Sequence, residues 1–162
     1  MTVLVLGVGN SLNGDDGIGP YVATRVAAAC SAVGEGAGEK RRPHTVVALD
    51  CGTTPENFTA VVRRENPDVL VIVDAASMEL APGEIRVIPP ERIGLLTLST
   101  HSIPLSLFIT YIEGLASAVK LVGVQPVQML LGQPLSDVVR EAGEALVGLI
   151  CEGRLDEVAL IE

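Results

Sequence analysis

Three ionisable side chains have the types and positions expected of a catalytic or metal-binding site. Asp16 lies in a glycine-rich loop after the first apolar run, Asp74 ends the most apolar run, and His101 precedes an amphipathic segment. Two carboxylates and one imidazole suit a borderline divalent cation such as Zn, Ni or Co better than Ca. The separations of these residues match no short zinc motif, so the fold has to bring them together.

Each of these residues also has a plain structural interpretation. Asp15 and Asp16 could be turn formers in the Asn-Gly-Asp-Asp-Gly loop, and His101 could simply begin a helix. Asp74 could cap the loop that follows its strand. A functional role is favoured for Asp74, because a charged residue that closes an apolar strand is costly to bury without a partner.

Apolar patterning predicts strands that alternate with helices. Continuous β-branched runs indicate buried strands, and apolar residues repeating with helical spacing indicate helices. The predicted strands are residues 2–8, 44–50, 69–74, 84–88 and 120–124, and the predicted helices are 20–33, 55–65, 103–116 and 137–151. Ser136 is the predicted N-cap of the last helix, which we expect to bury Val138 and to pair Arg140 with Glu144.

This order of elements predicts a single α/β domain over residues 1–162, with helices in two layers around a doubly wound sheet of about five strands. Residues 75–83 are too few for a parallel crossover, so the strand that follows them should be antiparallel and the sheet mixed, though mostly parallel. Ligands bind such sheets outside the carboxyl ends of the strands. Asp16, Asp74 and His101 all follow that rule.

Composition excludes several classes of function. The 162 residues carry 11 Lys and Arg against 20 Asp and Glu, a net charge of −9, and only four aromatic residues, so nucleic-acid binding is not expected. Three scattered cysteines without a Cys-x-x-Cys pair favour a reducing cytoplasm. No apolar run approaches the roughly 18 residues of a membrane span. The glycine-rich segment 34–42 is predicted to be a surface loop.

Two nucleotide-binding motifs and a cysteine nucleophile are also disfavoured. Gly7-x-Gly9 would need a third glycine at Leu12 to form a dinucleotide fingerprint, and no Gly-Lys pair exists for a P-loop. Cys51 is more typical of a small apolar core residue than of a nucleophile.

Several motifs along the chain resemble those of the nickel–iron hydrogenase maturation proteases and occur in the same order as in that family. The Thr-His-x-x-Pro-Leu and Pro-Glu-Asn elements are most similar to the branch for hydrogenase 3 and coenzyme-F420-reducing hydrogenases. The matching segments are Gly9-Asn10-Ser11-Leu12-Asn13-Gly14-Asp15-Asp16-Gly17-Ile18-Gly19-Pro20, Asp50-Cys51-Gly52-Thr53-Thr54-Pro55-Glu56-Asn57, Val73-Asp74-Ala75, Pro82-Gly83-Glu84-Ile85, Thr100-His101-Ser102-Ile103-Pro104-Leu105 and Gly123-Val124-Gln125-Pro126.

The resemblance implies an endopeptidase that removes a C-terminal extension from a hydrogenase large-subunit precursor once nickel has been inserted. Asp16, Asp74 and His101 fall on the metal-recognising triad of that family, and they are our candidates for both metal binding and catalysis. The nickel belongs to the substrate, so we expect no permanent cofactor. We also expect a monomer, and an Asp-activated water is favoured over a metal-bound hydroxide as the attacking group.

Two alternatives remain open from the sequence. The chain could be an autonomous metal-dependent hydrolase with a metal of its own, or a non-catalytic flavodoxin-like binding module. Retained metal would distinguish the first from a maturation protease, and a lack of precursor processing would distinguish the second.

Overall fold

The computed structural model describes residues 1–31, 45–95, 97–98 and 105–162. The strands are β1 (Thr2–Val8), β2 (Thr45–Gly52), β3 (Val69–Ser77), β4 (Ile85–Ile88), β5 (Thr97–Leu98) and β6 (Ala118–Val124). The helices are α1 (Ile18–Ser31), α2 (Thr59–Glu65), α3 (Leu105–Ile112) and α4 (Asp137–Cys151). None of the helices in these ranges combines the length and the apolar composition needed to cross a bilayer.

The sheet has the strand order β2-β1-β3-β6-β4. Strands β2, β1, β3 and β6 pair in parallel, whereas β4 is antiparallel to β6. The two-residue strand β5 pairs antiparallel with the last residues of β3, outside this order. The mostly parallel mixed sheet is therefore confirmed, and the short connection before β4 explains its direction, since a parallel crossover needs about a dozen residues.

Two layers of helices cover the sheet, because successive strand residues point to opposite faces. On one face, Leu4 and Leu70 pack with α2 and α3. On the other face, Val5 and Val71 pack with α1 and α4. All four side chains are fully buried, or nearly so, which is why the strands are apolar at consecutive positions rather than at alternate ones.

Several element boundaries differ from the sequence-based predictions. The segment predicted as one helix over 55–65 begins as a 3-10 turn, Pro55–Phe58, before α2, and the helix predicted to end at residue 116 ends as a 3-10 turn at Glu113–Leu115. Strand β3 continues three residues beyond Asp74. The predicted loop over 34–42 lies outside the described residues, as do His44, Val33 and Ile103.

Two predictions for α4 are wrong. Val138 is 42% exposed, because the buried stripe of the helix runs through Val139 and Leu146 instead. Arg140 pairs with Asp137 at 3.0 Å, whereas Glu144 pairs with Arg25 of α1 at 3.0 Å. Glu144 therefore joins two helices.

The first turn of α1 lies directly on the sheet at Gly19. A Cβ at this position would overlap the carbonyl oxygens of Val8, the last residue of β1, and of Val73, the last residue of β3 that pairs with β1. Backbone atoms cannot move aside as side chains can, so any larger residue would displace the helix. Gly19 therefore sets how closely α1 approaches β1 and β3 at the point where their pairing ends.

We predict that Gly19→Ala lowers the free energy of unfolding by about 1–3 kcal/mol, the usual cost of overpacking. Gly148→Ala is the matched control, because Gly148 lies within α4 and a Cβ there meets nothing within 4 Å. The control should gain about 0.5–1 kcal/mol from helix propensity. Urea denaturation of both variants tests this, and a Gly19→Ala protein as stable as wild type would contradict the close-approach argument.

Candidate active site

The candidate site lies where the chain changes direction across the sheet. After β1 the chain crosses to β2 on one side, and it then returns to β3 on the other side of β1. Strands β1 and β3 are therefore the neighbours at the topological switch point, where open α/β sheets bind their ligands. Asp16 follows β1 in the 3-10 turn Gly14–Gly17, and Asp74 lies near the carboxyl end of β3.

The loop around Asp16 is tightly folded. Gly9 has a φ of +147°, and a Cβ there would overlap the backbone oxygen of Asp16. Asp16 N donates to Asn13 O at 3.1 Å, and Asn10 N donates to Asp16 Oδ2 at 3.1 Å. The loop thus returns on itself and points the Asp16 carboxylate back towards the end of β1.

A glycine-rich loop of this kind predicts a solvent-facing position for Asp16, but the prediction is wrong, because the residue is only 7% exposed. Its Oδ1 atom is buried, and no hydrogen-bond donor reaches it within the described residues. A buried carboxylate oxygen without a donor carries a desolvation cost, which a bound cation or a donor from a substrate would offset. Asp16 is therefore well suited to binding a positively charged partner.

Asp74 is fully buried in β3, between β1 and β6. It pairs with Gly123 of β6, one residue beyond the last pairing of β3 with β1. The alternation along β3 places it on the same face as Leu70 and Ile72, which pack with α3. In the chain, His101 precedes α3.

The structure brings two of the three predicted residues to the same edge of the sheet. The turn that holds Asp16 contacts β3, the strand of Asp74. His101 lies outside the described residues, and within the described ranges no three His, Cys, Asp or Glu side chains cluster as metal ligands. The assignment of Asp16, Asp74 and His101 as one triad stays a prediction.

Sequence reasoning missed the role of Asp15. Its carboxylate is fully buried and accepts four hydrogen bonds, from Val127 N at 2.8 Å, Gln128 N at 3.1 Å, Ser136 N at 2.7 Å and Ser136 Oγ at 2.9 Å. Ser136 occupies the N-cap position of α4 as predicted, but its hydroxyl donates to Asp15 and makes no cap to its own helix. Asp15 therefore connects the Asp16 turn to the segment between β6 and α4.

Cys51 fits the prediction of a core residue. The side chain is 3% exposed, and burial, with a smaller contribution from the Asp50 charge, raises the pKa of its thiol to about 12. A thiol with such a pKa carries almost no thiolate near neutral pH. Cys51 is therefore unsuited to act as a nucleophile.

We predict that Asp15→Asn and Asp16→Asn have different effects on stability. An amide at position 15 has one acceptor oxygen and presents its NH2 group to other donors, so the free energy of unfolding should fall by on the order of 2–4 kcal/mol. An amide at position 16 can still accept from Asn10 N, so the change should stay below about 1 kcal/mol. Urea denaturation midpoints measure both, and equal losses would contradict the separate roles of these neighbours.

Comparison with known proteins agrees with the resemblance found in the sequence. The profile of the hydrogenase maturation protease family matches residues 31–153. The hydrogenase 3 maturation protease of Escherichia coli strain K12 is 35% identical over 167 aligned residues, which cover 100% of this chain and 99% of that protein.

Solved structures show the same architecture. The solution structure of the endopeptidase HycI from Escherichia coli matches with a TM-score of 0.79 and 32% identity, covering 100% of this chain and 97% of that one. The crystal structure of the [NiFe] hydrogenase maturation protease HycI from Thermococcus kodakarensis KOD1 matches with a TM-score of 0.75 and 30% identity, covering 94% and 92%. On sequence and fold together, the chain belongs to the hydrogenase maturation protease family, whose members are endopeptidases.

Proposed function

We propose that the protein removes the C-terminal extension of a nickel–iron hydrogenase large-subunit precursor after nickel insertion, and that Asp16, Asp74 and His101 recognise the nickel carried by that substrate. The proposal includes action as a monomer in the cytoplasm. The observation that carries it is the buried carboxylate of Asp16, whose Oδ1 no donor reaches within the described residues, at the switch point beside β3.

The chemistry of the donors supports a metal that arrives with the substrate. Two carboxylates supply hard oxygen donors and one imidazole supplies a borderline nitrogen donor. This set can bind a borderline cation such as nickel, but three donors leave its coordination incomplete. Cysteine thiolates of the precursor would supply the remaining ligands. Free nickel should therefore bind weakly, while nickel already held by the precursor binds well.

Binding of the nickel would position the scissile peptide bond next to the catalytic groups. Correct positioning of reacting groups contributes a large part of enzymatic rate enhancement, so a precursor without nickel would be positioned incorrectly and cut slowly. Cleavage would therefore depend on nickel insertion.

We assign the attack on the peptide carbonyl to a water molecule activated by an aspartate. The carboxylate accepts the proton of the water as its oxygen bonds to the carbonyl carbon, and the proton then passes to the leaving amine nitrogen. Cys51 is too deeply buried for a thiol mechanism, and its raised pKa disfavours the thiolate.

We predict that Asp16→Asn abolishes processing while the protein stays folded. The amide keeps the size of the side chain but removes its negative charge, so cleavage of nickel-loaded precursor should slow by on the order of 100-fold or more. Intact-mass measurement of the precursor follows loss of the C-terminal tail.

Asp156→Asn is the matched control. Asp156 is exposed in the C-terminal 3-10 turn and pairs with Lys120 in the first half of β6, so the same chemical change is made far from the carboxyl ends of the strands. It should process at the wild-type rate. Wild-type cleavage by a folded Asp16→Asn protein would refute the role of Asp16. Equal cleavage of nickel-free and nickel-loaded precursor by wild type would refute nickel recognition.

His101→Ala tests the nitrogen donor, and the metal content of the wild-type protein tests the source of the metal. Removing the imidazole should weaken binding of the nickel-loaded precursor without changing binding of the nickel-free form, which a pull-down with each precursor can measure. Wild-type protein should purify essentially metal-free by elemental analysis. Stoichiometric metal retained after chelator treatment would instead favour an autonomous metallohydrolase with these residues as permanent ligands.

A further inference from the structure

Helices α1 and α4 form a parallel pair on one face of the sheet. Near their first turns, Asp15 is bonded to Ser136, the N-cap of α4. Gly143, near the middle of α4, packs against the start of α1, since a Cβ there would lie 2.8 Å from Ile18 Cδ1. The two helices therefore run alongside each other from their N-terminal ends.

Polar contacts also join α1 and α4. Glu144 Oε1 of α4 accepts a hydrogen bond from the Tyr21 hydroxyl and pairs with Arg25 Nε at 3.0 Å. These contacts fix the relative position of the helices about two to three turns before their C-terminal ends. The last turns of α1 and α4 are thus held side by side.

The last turns carry two of the three cysteines. Cys30 Sγ and Cys151 Sγ are 3.1 Å apart, although the residues are 121 positions apart in the chain. Both residues are partly exposed, and both are thiols in this structure. A disulfide has a sulfur–sulfur distance of about 2.05 Å, so the two sulfurs need to approach by only about 1 Å.

We propose that Cys30 and Cys151 form a redox-active dithiol site, which a low-molecular-weight disulfide converts to an intramolecular disulfide between α1 and α4. The proposal is independent of the hydrolytic site, because it uses the opposite ends of the two helices.

The reaction consists of two exchange steps. One protein thiolate attacks a sulfur of the small disulfide, forms a mixed disulfide and releases one small thiolate. The second protein thiolate attacks the protein sulfur of that mixed disulfide and releases the other small thiolate. Two protein thiols are oxidised, one small disulfide is reduced to two thiols, and the two protons from the protein are taken up by the released thiolates.

Cys51 provides an internal reference for this reactivity. It is buried in the core, and burial raises the pKa of its thiol to about 12. Thiol–disulfide exchange requires an accessible thiolate, so Cys51 should stay reduced in the folded protein.

Formation of the disulfide should stabilise the fold. The bond would close a loop of more than 100 residues in the unfolded chain, and long loops lose the most entropy on closure. For a domain of this size, the melting temperature should rise by on the order of 10 °C.

The test is incubation of the folded full-length protein with oxidised glutathione, followed by alkylation of the remaining thiols, trypsin digestion and mass spectrometry. The expected product is a linked pair of peptides, residues 26–40 and 141–154, with Cys51 alkylated only after unfolding. The melting temperature of this product should exceed that of the reduced form, and dithiothreitol should reverse the shift.

Variants give the controls. Cys51→Ala should form the same link and show the same thermal shift, whereas Cys30→Ala and Cys30→Ser should form none and instead keep glutathione on Cys151. The proposal is overturned if wild-type protein gives only mixed disulfides, links between separate chains, or a link that includes Cys51. The wild-type peptide map decides this even if a variant fails to fold.

Discussion

The buried carboxylate of Asp15 holds the candidate active site to the rest of the protein. It accepts three backbone N–H groups and one hydroxyl from the segment between β6 and α4. The carboxylate itself is fully buried, and these four donors compensate for the hydration that it loses on folding. The turn after β1 and the start of α4 are therefore fixed together, and Asp16 takes its position from that junction.

The adjacent residues Asp15 and Asp16 have different roles. Both carboxylate oxygens of Asp15 accept hydrogen bonds from the protein, whereas one buried oxygen of Asp16 has no donor among the described residues. Gly9 and Gly19 allow the surrounding backbone to come close enough for this arrangement. The result is a negative charge held at the switch point of the sheet, beside the strand that carries Asp74. That arrangement supports the proposed recognition of a metal carried by the substrate.

Much of this architecture could be predicted from local sequence patterns. Apolar runs such as Thr2–Val8 identify strands buried on both faces, and the short connection before β4 predicts its antiparallel direction. The place of Asp16 in the loop after β1 follows from the same reasoning, whereas β3 continues through Ser77, so that Asp74 lies inside its strand and not at the end predicted for it. These features depend on residues close together in the chain, and hence on patterns that a single sequence displays.

Contacts between distant residues could not be predicted in this way. The bond from Ser136 to Asp15 and the contact of Cys30 with Cys151 each join residues 121 positions apart. The loop composition around Asp16 indicated exposure, yet packing against Gly9 and the end of β1 buries it. Likewise, Glu144 had a suitable partner on its own helix in Arg140, but the neighbouring helix supplies Arg25 instead.

Our proposal requires carboxylate oxygens of this protein to bind the nickel that the substrate carries. This binding can be tested with nickel K-edge X-ray absorption spectra of the nickel-loaded precursor, alone and in a complex frozen before cleavage. We expect oxygen or nitrogen ligands to be added to nickel in the complex with wild-type protein, and the added scattering to be reduced in the complex with Asp16→Asn. A nickel spectrum that is identical with and without wild-type protein, in a complex that goes on to lose its C-terminal tail, would contradict it.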